Sequence, residues 1–340
     1  MRRNLPLLLL PLLALLALAS CSTKMSLDGS EEVFGTLCTI RLVDGASKAA
    51  LEAAFAVLHR HDHLLSPVIE DSEISAVNRA AGKAAVKVSP ETLAALRSAL
   101  GFARVSGGVV DHTVYPLVQL WGIGTEAARI PSKEEIAAAL KLVDWKDVIV
   151  DEAASTVRLA RPGMALDLGA FAKGWSADRV KEVLAARGVR AAIIDLGGNI
   201  FVFGKKPDGS PWKVGVQDPR LARGAYMGIV SSLGASVTTA GTYERYFEKD
   251  GIRYHHILDL GTGAPARSGL LAATVVADTS EMADGIDTAI FILGREKGLR
   301  LAATLPGVRV ILADEKGKVW FSPGANRDFQ LTSKDWAPAE

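Results

Sequence analysis

Residues 273–294, ATVVADTSEMADGIDTAIFILG, read as a buried strand feeding a helix that carries two carboxylates and a hydroxyl. Thr274 to Ala277 is a short apolar run rich in β-branched residues, and Asp278 with Glu281 three residues later has the spacing of a capping box. On that helix Asp284, Asp287 and Thr288 fall at i, i+3 and i+4 and share one face. Met282, Ile286, Ala289, Ile290 and Leu293 fall on the other face, so an apolar stripe packs inward while three oxygen-bearing side chains point away from it. Carboxylate and hydroxyl oxygens suit Mg²⁺, which completes its octahedron with water or phosphate. An ordinary polar helix surface meets the same spacing, since acidic residues near a helix start also complement the dipole.

Outward from this stretch the chain is mixed in character. Helical patterns dominate the first half: 46–65, with Leu51, Ala54, Phe55, Leu58 and Leu65 on one stripe, a short helix within 66–82, 89–106 opened by Ser89-Pro90, and 131–142. A hairpin is expected over 148–159, a strand over Met164–Leu168 and a helix over Phe171–Arg187. Strands follow at 191–195, 200–203, 212–217, 227–231 and 236–239, with a hairpin turning at Asp250-Gly251. After the acidic helix come a helix near 295–304 and strands at 308–313 and 319–321. The stretch 109–124, VVDHTVYPLVQLWGIG, reads as irregular. Helices early and strands late, with no repeat and no fixed alternation, predict an α+β fold: a single large domain of mixed, mostly antiparallel sheets with flanking helices.

The N-terminus has a targeting pattern. Arg2 and Arg3 precede an almost wholly apolar run from Leu5 to Ser20, followed by Cys21, as in a signal peptide with a lipoprotein box. The run is short of the roughly 20 apolar residues of a membrane span. The expected organisation is therefore a signal peptide at 1–20, a polar lipidated tether at 21–32 beginning at Cys21, a domain at 33–325 and a tail at 326–340. The chain would face the periplasm from the inner or outer bacterial membrane. Cys38 is the only other cysteine, so a lipidated chain has no internal disulfide. A net charge of +1 without a basic block excludes nucleic acid as the main partner, and 49% hydrophobic residues can build a large core.

Other candidate groups are weaker by themselves. Lys173 sits in the first turn of the helix after Gly169, where free N–H groups favour an anion; a tight turn and a surface lysine give the same pattern. Asp167 ends an apolar segment, and a carboxylate buried there must find a partner. Gly197-Gly198 fits either close ligand approach or a turn. His256 can act as a general base near neutral pH or be structural. His59 and His63 lie at i, i+4 but have no third ligand, so a solvated helix end is expected.

Taken together, FGT (34–36), SEISAVN (72–78), VVDHTVYPLVQLWGIG, DLGAFAKGWSADR (167–179), LGGNI (196–200), AGTYERYF (240–247), HILD (256–259) and ADGIDTA (283–289) resemble, in order, the ApbE family of flavin transferases. The resemblance spans about residues 33–294 and implies a T-fold-related domain in an often lipid-anchored, Mg²⁺-dependent enzyme. Such an enzyme cuts FAD and attaches FMN to a Thr or Ser of an acceptor subunit from a respiratory or electron-transfer complex. By position it implies Asp284, Asp287, Thr288 and the Ala170 carbonyl as metal ligands. Phe34, Asn78, Val109, Val110, Asp111, Asp167, Lys173, Ile257 and His256 are implied as FAD-contacting or cleft-bordering positions; for the chemistry, His256 is the first choice of base and an acidic residue the second, with Asp284 essential through the metal. Phe34 stands where the family commonly has Met, Val68 where it has Tyr, and Leu260-Gly261-Thr262-Gly263 where it has Pro-x-Thr-Gly. These departures bear on flavin contacts, not on the metal ligands. Two rival readings are an FAD pyrophosphatase, with water replacing the acceptor hydroxyl, and a flavin-binding lipoprotein without turnover.

Overall fold

A computed structural model describes residues 26–339. The signal peptide and Cys21 lie outside the described residues. Nine strands lie side by side in chain order: Leu27–Val33, Thr36–Asp44, Ala191–Leu196, Asn199–Phe203, Ala235–Gly241, Leu270–Ala277, Arg309–Asp314, Lys318–Phe321 and Ala337–Pro338. All neighbours are antiparallel except the last pair. The α+β expectation holds.

The sheet is buried on both faces, and the inner strand Leu270–Ala277 shows why. Ala273, Val275 and Ala277 join Ile286, Ala289 and Ile290 of the helix Ser280–Ala303, while Ala272 and Val276 join Val214, Val230 and Trp336 on the other side. A strand covered on both faces reads as a continuous apolar run rather than an alternating one. The helices Lys48–Leu65 and Ala172–Ala186 pack beside Ser280–Ala303 on the first face. The second face carries a small sheet of Trp212–Gln217, Tyr226–Ser232 and Phe329–Leu331. A satellite core forms where Pro90–Val105 and Glu73–Arg79 meet the hairpin Val148–Asp151/Thr156–Leu159. No helix among the described residues is long and apolar enough to cross a membrane.

Several expectations change. The polar stretch to residue 32 contains the edge strand Leu27–Val33, which pairs with Thr36–Asp44 and carries the Asp28–Arg41 and Ser30–Thr39 contacts. An edge strand with one wet face is polar enough to pass for a tether. The stretch from 326 is likewise no tail. Phe329–Leu331 pairs with Tyr226–Ser232, and the buried Trp336 donates to Asp218 at 2.8 Å. Within 109–124 a helix runs from Tyr115 to Trp121 and ends at Gly122 with φ 59°. Residues 164–168 form no strand beyond one bridge, Val114 to Ala165. The acidic helix is capped by Thr279 and not by Asp278. His59 and His63, by contrast, are exposed as expected of a solvated helix end, and pair with Glu31 and Asp71.

Candidate active site

The helices Ala172–Ala186 and Ser280–Ala303 meet at Gly174. A Cβ there would lie 2.3 Å from the Ser280 carbonyl oxygen and 2.4 Å from the Asp284 Cβ. Only glycine permits this approach, and it lets the Gly174 N–H donate to Asp284 Oδ2 at 2.8 Å. Asp178, one turn further on, accepts the N–H groups of Ser280 and Glu281 at 3.0 and 2.9 Å, so one helix caps the other. Gly174→Ala is expected to destabilise the fold by about 2–3 kcal/mol through overpacking. Thermal unfolding should show the loss together with weakened activity, because Asp284 is displaced.

The crossing positions the charged groups. Asp284 and Asp287 are both buried, 5% exposed, and Thr288 Oγ1 donates to Asp287 Oδ1 at 3.2 Å. Burial first, and then the neighbouring Asp284 charge, raise the Asp287 pKa well above the ordinary carboxylate value; Lys173 opposes this. Lys173 Nζ lies 3.9 Å from Asp284 Oδ1 and donates to the Gly169 carbonyl at 3.1 Å. Because the Gly174 N–H goes to Asp284, the Ala170 carbonyl accepts no hydrogen bond among the described residues.

Two buried carboxylates, a hydroxyl and a free carbonyl make an oxygen-only donor set that fits Mg²⁺. Among the described residues no group of three or more His, Cys, Asp and Glu side chains is placed to hold a metal ion. A cation here therefore relies on the hydroxyl, the carbonyl and outside oxygens as well as the carboxylate pair.

Asp167 borders the same region. Its Oδ1 accepts the Gly169 N–H at 2.7 Å; burial raises its pKa, while that bond and the charges of Lys173 and Arg245 counteract. His256 is exposed yet crowded by the surrounding chain, and desolvation first and Arg245 second hold its pKa down to about 4. Its ring is therefore neutral at pH 7 and able to accept a proton. The Lys173 charge acts on Asp167, Asp287 and His256 alike, lowering the pKa of each. Phe34 and Gly35, with φ 56° and 64°, form the two-residue turn between the first strands. A bulky residue at positive φ is strained, and Phe34 packs against two core clusters at once.

Other implied residues serve as supports. Asn78 clamps Leu166 through both amide atoms, donating to its carbonyl at 3.0 Å and accepting its N–H at 2.7 Å. This side-chain ladder adds to the Val114–Ala165 bridge and to the Asp167 N–H donated to the His112 carbonyl at 2.7 Å in fixing 164–168. The Asp111 carboxylate is occupied by Thr113, through N–H and Oγ1, and by the Trp145 N–H. Val110 and Ile257 are buried in the core and Val109 is half-buried against it. Three contributors were not singled out from the sequence: Gly174, Asp178 and Arg245. The Arg245 stem crosses Gly124 and its guanidinium reaches the Gly35 turn. The close helix crossing could have been suspected from a glycine in the first turn of a helix, but Arg245 sits in an exposed polar stretch without a pattern.

Fold and site together define an α+β domain built around a buried carboxylate pair beside a lysine. The sequence matches the ApbE family over residues 34–312, and the chain belongs to that family. A relative from Treponema pallidum (strain Nichols), named FAD:protein FMN transferase, is 38% identical over 312 residues, 87% of this chain and 86% of its own. The crystal structure of the ApbE protein from Thermotoga maritima MSB8 aligns with TM-score 0.83 at 30% identity, covering 89% of this chain and 99% of that one. A structure described as flavin transferase ApbE from Vibrio cholerae aligns with TM-score 0.79 at 26% identity over the same shares.

Proposed function

We propose that this chain transfers FMN from FAD to a threonine or serine hydroxyl of an acceptor protein and releases AMP. The observation that carries this reading is the buried Asp284–Asp287 pair beside Lys173 and the free Ala170 carbonyl, a few residues from Asp167. The family relatives, named FAD:protein FMN transferase, support the same substrates. Mg²⁺ held by Asp284, Asp287, Thr288 and Ala170 would supply charge neutralisation to the diphosphate. The acceptor oxygen bonds to the phosphorus of the FMN half while the bond from that phosphorus to the bridging oxygen breaks. AMP leaves with that oxygen.

The chain's own residues do the rest. His256 takes the hydroxyl proton, and Lys173 offsets charge gathering at the phosphate oxygens. Phosphoryl transfer demands chiefly positioning and charge neutralisation, which suits a site with so few reactive groups. The lipoprotein box ending at Cys21 supports an envelope location facing the periplasm, with respiratory or electron-transfer subunits as acceptors.

The test is incubation with FAD, Mg²⁺ and a candidate acceptor, followed by mass spectrometry. Acceptor mass increased by FMN supports the proposal; free FMN alone identifies a pyrophosphatase; neither product leaves a flavin-binding protein. His256→Gln is expected to lower transfer by about 10²–10³-fold with FAD binding kept. The wild-type rate should persist through pH 6.5 and fall only toward pH about 4, as the imidazole protonates.

A further inference from the structure

The strands Tyr246–Lys249 and Ile252–His255 form a two-stranded ribbon that joins no other sheet. The ribbon grows out of the site: Arg245 immediately precedes it, His256 immediately follows it, and the His256 N–H donates to the Arg245 carbonyl at 3.0 Å. That bond fixes the hydrogen-bonding phase. Bonded and non-bonded pairs alternate along an antiparallel ladder, so Phe247–Tyr254 and Lys249–Ile252 exchange bonds as Arg245–His256 does. The N–H and C=O groups of Tyr246 and Glu248 therefore point away from the partner strand, and no other described residue bonds them.

The two edges are not equivalent. On the far edge, the Arg267 guanidinium donates to the Arg253 carbonyl at 2.7 Å, and the His255 ring is buried with Nε2 at 3.0 Å from the Ala266 carbonyl. The Tyr246–Lys249 edge has no such cover. It is nonetheless buttressed: Phe247 stacks on Tyr254 at 5.1 Å between ring centroids and Tyr254 on Trp121 at 5.9 Å. Uncovered strand edges are templates for another chain and are normally blunted. Here the open edge ends at Arg245, whose carbonyl holds the His256 N–H from the opposite strand.

We infer that the Tyr246–Lys249 edge binds the acceptor protein, whose extended threonine- or serine-bearing segment adds as a third strand and then passes over Arg245 to reach His256 on the opposite strand. This rests on the transferase reading. An acceptor hydroxyl must arrive on a polypeptide, and strand addition supplies main-chain affinity with the register set by the edge. Three to four residues at about 3.4 Å each span Glu248 to the level of Arg245, so a short segment suffices.

The test uses an acceptor that the wild-type enzyme labels in the FAD assay, and a ten-residue synthetic peptide centred on its labelled residue. Glu248→Pro removes one outward N–H and leaves the ribbon's own ladder intact, whereas Glu248→Ala keeps the N–H and removes the side chain. Glu248→Pro should raise the acceptor KM by about tenfold, the worth of one or two hydrogen bonds, with the thermal shift given by FAD unchanged. Glu248→Ala should stay within twofold of wild type. Methylating alternate backbone nitrogens of the peptide should abolish its labelling in one phase and spare it in the other. Equal labelling by wild type and Glu248→Pro, equal losses in the two variants, or indifference to the methylation phase would overturn the inference alone. Failure of the wild-type enzyme to label any acceptor would overturn the transferase reading and the inference with it.

Discussion

Asp284→Ala should lower FMN transfer by about 10³-fold or more, the scale seen when a preorganised electrostatic group is removed from a transfer site. Three losses coincide at that position. One of two adjacent carboxylates disappears, the Gly174 N–H loses its acceptor at 2.8 Å, and Lys173 loses the anion 3.9 Å away. The stability change should be small by comparison, on the order of 1 kcal/mol. The orphaned N–H costs about that much, and removing the Asp284 charge relieves Asp287, whose pKa that charge raises. Wild-type protein should gain thermal stability with Mg²⁺, whereas the alanine variant should not. Transfer within tenfold of wild type in a folded Asp284→Ala protein would remove the carboxylate pair from the mechanism.

How far the sequence discloses this site depends on how local each contact is. The three-and-four spacing that gathers Asp284, Asp287 and Thr288 is a property of one helix, and the continuous run at Thr274–Ala277 marks a strand buried on both faces. Both are legible without a fold. The cap on that helix is not, because Asp178 reaches Ser280 and Glu281 from 102 and 103 residues earlier in the chain. Asp111 is half legible: the resemblance marks its position, but not the three hydrogen bonds from Thr113 and Trp145 by which its carboxylate holds a loop. Asn78 behaves alike, since both polar atoms of its amide are committed to the Leu166 backbone. The helix Tyr115–Trp121 escaped notice because seven residues with Pro in the first turn give too short a period to count.

Asp287→Asn should separate the proposed metal role from a structural one, because it moves stability and activity in opposite directions. The Asp287 pKa in the folded chain is raised well above its ordinary value of 3.8 by burial and by Asp284. For a raised group, the stabilising contribution is complete below the unfolded pKa and is lost as pH rises through the folded one. In chelator, then, wild-type protein should lose stability between about pH 4 and the raised folded value, as the pair is forced toward two negative charges. Asparagine keeps the shape and an oxygen for the Thr288 hydroxyl, which donates to Asp287 Oδ1, but cannot ionise. The variant in chelator at pH 8 should therefore melt above wild type by about 2–4 °C, the shift that roughly 1 kcal/mol produces in a domain of a few hundred residues. With Mg²⁺ the order should reverse, since a cation compensates two carboxylates better than one, and transfer should fall by about 10²–10³-fold. Melting curves at pH 5 and pH 8, each with chelator and with Mg²⁺, read all of these signs. If Asp287→Asn destabilised the chelated protein at pH 8, the carboxylate would be a structural acceptor, and the like-charge pair would no longer argue for a cation.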